Sequence, residues 1–85
     1  MAKPIRYTMH ADTVILQREL SKEWIEETVR TPEWTETDPG DLAVRRCFRA
    51  IPVRAGRYLR VACVEDEGEF RVVSAFIDRD ARKPT

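Results

Sequence analysis

The sequence predicts an α+β domain of order β-α-α-β-β-β, with two helices packed on one face of an antiparallel sheet. Three observations carry this. Two segments of helical period stand behind hydroxyl caps in residues 8–32. Three strand-like segments follow from residue 43. The links between those strands, PVRAG and DEG, are short enough to force antiparallel neighbours. The chain has 85 residues, which makes one domain with a small core. That core is expected over about residues 4–79, with 80–85 as a flexible tail.

Taken in order, Ile5 and Tyr7 between polar neighbours predict a first strand at 4–8. Thr8 is a natural N-cap, and Asp12 in the first turn complements the helix dipole. The first helix then runs through Val14 and Ile15 to about Glu19. Ser21 caps the second, where Trp24, Ile25, Thr28 and Val29 recur at helical spacing. Thr31-Pro32 stops it, because the residue before proline is pushed out of the helical region. Residues 33–42 (EWTETDPGDL) read as a loop with Asp38, Pro39 and Gly40 as turn formers. Strands are expected at 43–51, 57–65 and 69–78. The last is apolar on both faces, as an interior strand should be.

Hydrophobic residues make up 42% of the chain, sufficient for a packed interior. No run of eighteen apolar residues occurs, so no membrane span is expected, and the start MAKPIRYTMH lacks an apolar signal segment, which points to the cytoplasm. Cys47 and Cys63 read as two reduced, buried thiols. One histidine is too few for a zinc site of His and Cys type, and no cofactor motif is present.

Zero net charge hides an asymmetry. Residues 1–41 hold five Lys/Arg against nine Asp/Glu, a balance of −4, whereas residues 42–85 hold ten against six, a balance of +4. Arg45, Arg46, Arg49, Arg54, Arg57 and Arg60 fall in a stretch without a single acid. Guanidinium groups make planar, bidentate contacts with phosphate or carboxylate. Alternation is read with Phe48, Leu59 and Val61 under the helices, which leaves Arg45, Arg49, Tyr58 and Arg60 on the open face. That face is the expected nucleic-acid surface, and otherwise a solubilising one paired with nearby glutamates. His10, the chain's single histidine, is by residue type the acid–base candidate, with local capping or packing as its other reading. Trp34 either closes over the core or marks a partner contact.

Several short motifs resemble the RelE-like superfamily of bacterial toxins, and above all its BrnT-type branch. Arg71-Val72-Val73-Ser74-Ala75-Phe76 is similar to that branch's late-strand motif R-I-I-S-A-R, and Leu59 to Glu65 looks like its L-x-V-V-x-x-E. Tyr7-Thr8-x-His10-Ala11 and Arg18-x-Leu20-Ser21 are still more similar to a bacterial family of small stand-alone domains of unknown function. The resemblance covers about residues 7–79. It implies either an endoribonuclease toxin, with Arg71, Arg49 and Arg60 on phosphate and His10 or Arg18 nearby, or a binding module that has kept the fold without the chemistry. Its implied partners are RNA or an acidic, antitoxin-like protein. Two departures favour the module: Phe76 replaces the motif's second arginine, and Gln17-Arg18-Glu19 keeps one cation of a basic segment and gains an acid. Arg71, read as sharing the inward face of Val73, Ala75 and Ile77, must reach the rim and meet either Glu26 or Glu27 of the second helix or a ligand phosphate. The acidic first half of the chain favours the carboxylate.

Overall fold

Thr8 and Ser21 cap the helices as their hydroxyls predict. The Thr8 side chain accepts a hydrogen bond from Ala11 N at 3.1 Å, and that of Ser21 accepts one from Glu23 N at 3.1 Å. In the computed structural model, which describes residues 3–84, the chain runs β1 (Ile5–Tyr7), α1 (Met9–Gln17), α2 (Lys22–Arg30), β2 (Trp34–Thr37), β3 (Arg45–Ile51), a 3-10 turn (Pro52–Arg54), β4 (Arg57–Glu65) and β5 (Phe70–Asp78). Thr85, the end of the expected tail, lies outside the described residues.

The fold is α+β, with one five-stranded sheet in the order β1-β5-β4-β3-β2. β3, β4 and β5 form the expected antiparallel meander. Two features go beyond the sequence reading. β1 pairs with β5 in parallel, which makes the sheet mixed and β5 locally interior. Trp34–Thr37, expected within a loop, adds to β3 as an edge strand. Its threonines favour extended backbone, and the Trp34 ring stacks on Phe48 at 4.6 Å and 6°.

One core joins both helices to one face of the sheet: Ala11, Ile15, Leu20, Ile25 and Val29 meet Cys47, Ile51, Leu59, Val61, Cys63, Val72 and Ala75. This corrects the face assignment of β3. Cys47 pairs with Val61 and Phe48 with Arg60, so Phe48 lies on the open side while Arg45, Cys47, Arg49 and Ile51 face the helices. Phe48 is nonetheless buried, because Trp34 covers it.

A β-bulge corrects the second assignment. Ala62 pairs with Ser74 but Cys63 pairs with Val72, so Val73 is an extra residue. The inward row of β5 is therefore Phe70, Val72, Ala75 and Ile77. Arg71 pairs with Val64 and with Arg6, on the open face. It does not meet Glu26 or Glu27; Glu27 instead pairs with Arg49 at 3.0 Å.

After Gln17 the chain leaves α1 through a left-handed turn. Leu20 N donates to Ile15 O at 3.0 Å and Glu19 N to Leu16 O at 3.2 Å, with Glu19 at φ 55°. This is a Schellman closure in which glutamate occupies the position that usually belongs to glycine. It drops Leu20 into the core against Ile15 and leaves Arg18 at the sheet's edge.

Replacing Ile25, wholly buried between α2 and the sheet, by alanine should cost about 2–5 kcal/mol in urea unfolding. Leu16→Ala on the exposed side of α1, where Leu16 is 81% accessible, should stay within about 0.5 kcal/mol.

Candidate functional site

The arginines divide into those that are answered by carboxylates and those that are not. Arg45 meets Glu65 at 2.9 Å, Arg46 meets Asp38 at 3.4 Å, and Arg60 meets Asp78 at 3.4 Å. Arg49 meets Glu27 and also donates to Thr31 O at 2.8 Å, tying the end of α2 to β3. Most of the arginine block is thus internal scaffolding. Glu65 is held below the ordinary carboxylate range by the hydrogen bond from Lys3, with Arg45 adding to it; Asp38 is lowered chiefly by the backbone N–H of Gly40, and then by Arg46.

The open face is consequently not the bare basic surface that the sequence suggested. Of its four expected residues only Tyr58 and Arg60 lie there, and Arg60 is neutralised. Trp34, Phe48, Arg60 and Phe76 stand in register across β2, β3, β4 and β5. Tyr58 meets Trp34 edge-on at 4.9 Å, and the Arg60 guanidinium lies 5.0 Å from the Phe76 ring centre. Arg71 has no carboxylate within 4.0 Å among the described residues, but it stands at the other end of the sheet. His10 is exposed in the first turn of α1.

The unanswered cations converge elsewhere. A groove of about 690 Å³ opens between the end of α1, the 3-10 turn and the last residues of β5. Arg18, Arg54, Arg57 and Arg79 line it, and no carboxylate does. Leu20, Val53, Ala55, Phe76 and Ile77 supply its apolar surface. Within the described residues none of the four arginines forms an ion pair. Two are oriented by carbonyls: Arg18 Nη1 donates to Ala75 O at 2.7 Å, and Arg54 Nη2 to Glu19 O at 3.0 Å. Arg18 also sits 5.9 Å from the Phe76 ring centre, and Arg54 sits 5.5 Å from that of Trp24.

Backbone strain marks the same place. Among the described residues, the non-glycine positions with positive φ are Glu19 and Ala55, and the Arg54 hydrogen bond joins the two turns that contain them. Such residues persist where the surroundings over-determine them, often beside binding sites. Here they hold two arginines at the groove's walls.

A family described as "Domain of unknown function (DUF4258)" matches residues 7–77. The chain belongs to that family. No curated protein and no solved structure matches it. The match agrees with the expected likeness to a family of unknown function and is silent on RelE-like toxins. In this DUF4258 domain the matched span runs from the end of β1 almost to the end of β5, taking in every groove residue but Arg79.

Of the sequence-predicted site residues, the groove contains Arg18 alone. Arg54 and Arg57 belonged to the noticed acid-free stretch, but nothing in the pattern set them apart from their neutralised neighbours. Val53, Leu20 and Arg79 carried no signal. Within the described residues no cluster of three or more His, Cys, Asp or Glu is placed to hold a metal, and no helix is long and apolar enough to cross a membrane. Cys47 and Cys63 are free, buried thiols with sulfurs 3.9 Å apart. Cys47 is pulled down to about 7, chiefly by its contact with the Cys63 thiol, with Arg45 adding to it; Cys63, sharing that contact and buried, is pushed up.

Arg49→Ala should lower stability by about 1–2 kcal/mol, since a charged hydrogen bond and an ion pair go together, whereas exposed Arg57→Ala should leave the melting curve within about 0.5 kcal/mol. Glu19→Gly should raise stability by up to about 1 kcal/mol by relieving left-handed strain, read in the same urea titration.

Proposed function

We propose that this domain is a non-catalytic binding module that holds an acidic partner in the arginine groove. The observation that carries the reading is the convergence of four guanidinium groups, none paired with a carboxylate among the described residues, around an apolar floor. A groove of this kind is matched by an anionic ligand with apolar parts, because both its charge and its exposed Val53 are otherwise unanswered. The two ligand classes that suit it are those the sequence suggested, RNA and an acidic protein.

Chemistry is harder to assemble there. Cleaving a phosphodiester needs groups that pass a proton in the transition state, and guanidinium, which stays protonated, can only stabilise charge. His10 is not among the groove's residues. The proposed kinship with the RelE-like toxins rests on the short motifs of β4 and β5. Phe76, standing where their motif has an arginine, supports a relative that has kept the surface and lost the reaction.

Fluorescence anisotropy with a labelled oligouridine and a labelled acidic peptide tests the reading. At least one should bind at low salt and weaken as salt rises; for RNA engaging all four arginines the log–log slope should be about −3. The double variant Arg54→Ala/Arg57→Ala should lose tenfold or more in affinity with its melting curve unchanged. Absence of binding by both probes, an unaffected double variant, or cleavage of the RNA would each overturn the proposal.

A further inference from the structure

The arginine groove has an acidic neighbour on its own molecule. Strand alternation puts Arg57 on the helix-covered face with Leu59 and Ile77, at the end of the sheet that the helices do not reach. The groove therefore opens on the helix side. The helix layer bordering it carries Glu19, in the left-handed turn, and Glu23, in the first turn of α2. Both are exposed, and neither forms an ion pair among the described residues. Arg54 joins the two regions, since its guanidinium donates to Glu19 O at 3.0 Å and lies 5.5 Å from the ring centre of the partly buried Trp24. Beside it, Val53 is 75% exposed. One surface thus runs from the cations Arg57 and Arg79, through Val53, Arg54 and Trp24, to the carboxylates of Glu19 and Glu23.

We infer that this surface docks on a second copy of the chain about a two-fold axis, so that the acidic protein held in the groove is the helix layer of a twin. The inference rests on the binding-module reading and names its partner. In a two-fold contact a patch meets itself reversed. Residues near the axis meet their own equivalents, and the two ends exchange places. Here Val53 and Trp24 fall in the middle. Arg57 and Arg79 of each copy then face Glu19 and Glu23 of the other, so both ends are answered at once.

The charge pattern selects the orientation. A patch basic throughout would repel its own copy, whereas one with opposite signs at its ends attracts a twin in the reversed arrangement and rejects the others. An apolar middle with a charged rim is also how protein interfaces are built, and covering Val53 and the Trp24 edge removes apolar surface from water. The chain carries no net charge, so no long-range repulsion opposes the encounter. RNA fits this surface less well, because its phosphates complement the basic end and are repelled by Glu19 and Glu23.

Analytical ultracentrifugation of the full chain tests this. At low salt the mass should rise with concentration to about twice that of one chain and no further, and fall back as salt is added. Arg57, Arg79, Glu19 and Glu23 are all exposed, so their reversal should leave folded proteins, checked by melting curves. Arg57→Glu/Arg79→Glu and Glu19→Lys/Glu23→Lys should each be monomeric alone. Mixed, they should form a one-to-one heterodimer, because every end again faces its opposite charge. Hexaglutamate should bind the groove and dissociate the wild-type dimer, a measurement that needs no variant. A wild-type monomer at every concentration, a mixture that fails to associate, growth beyond two copies, or a dimer indifferent to bound hexaglutamate would each overturn the inference. A monomer that binds hexaglutamate leaves the binding module standing without its twin, and one that binds oligouridine alone gives the groove to RNA. If neither dimer nor polyanion binding is seen, the binding-module reading falls as well.

Discussion

Two short helices must cover one face of a sheet that is longer than they are. A nine-residue helix spans about 14 Å, while a nine-residue strand runs to about 30 Å. The helices are spent on the middle of the sheet, where Leu59, Val61, Cys63 and Val72 are fully excluded from water. The start of β4 and the end of β5 stay outside their reach. The 3-10 turn and the arginines occupy this remainder, and the groove is the part of it that they do not fill. Fold and candidate site are therefore a single geometric consequence.

The same economy governs the other face. No helix shields it, yet Phe48 is buried there because β2 brings Trp34 into parallel contact with it. Around that stack, Arg46 with Asp38 and Arg60 with Asp78 keep the surface polar and close to neutral. The arginines that make the sequence look like a nucleic-acid binder are largely consumed in holding strands together.

Much of the architecture could be read from local chemistry. Thr8, Ser21 and Pro32 delimit the helices because caps and breakers act within a turn of their own position. The three long strands follow from their β-branched content and short links. What escaped depends on partners distant in the sequence. Trp34–Thr37 is a strand because Phe48 offers a ring to stack upon. Phe48 outweighs Cys47 in hydrophobicity and so points a sequence reading to the wrong face of β3, although Cys47 is the smaller fit for the helix-covered side. Simple alternation points Arg71 inward, since a bulge at Val73 leaves no mark in an unbroken apolar run. Candidate residues are the least legible: Arg49 and Arg54 look alike in the chain, and only the fold reveals that one has Glu27 beside it while the other reaches the Glu19 carbonyl at the groove's wall.

The parallel pairing of Ile5–Tyr7 with Phe70–Val72 makes closure of the domain a long-range event. β1 neighbours β5 alone in the sheet, and α1 packs chiefly on that same strand. The apolar side chains of α1 thus gain their cover only when β5 is in place. Joining β1 to β5 closes a loop over most of the domain, an entropic cost that the local pairing of β3 with β4 does not meet. Without β5, α2 still rests on β3 and β4, while α1 loses the strand it packs on and leaves Ala11 and Ile15 uncovered.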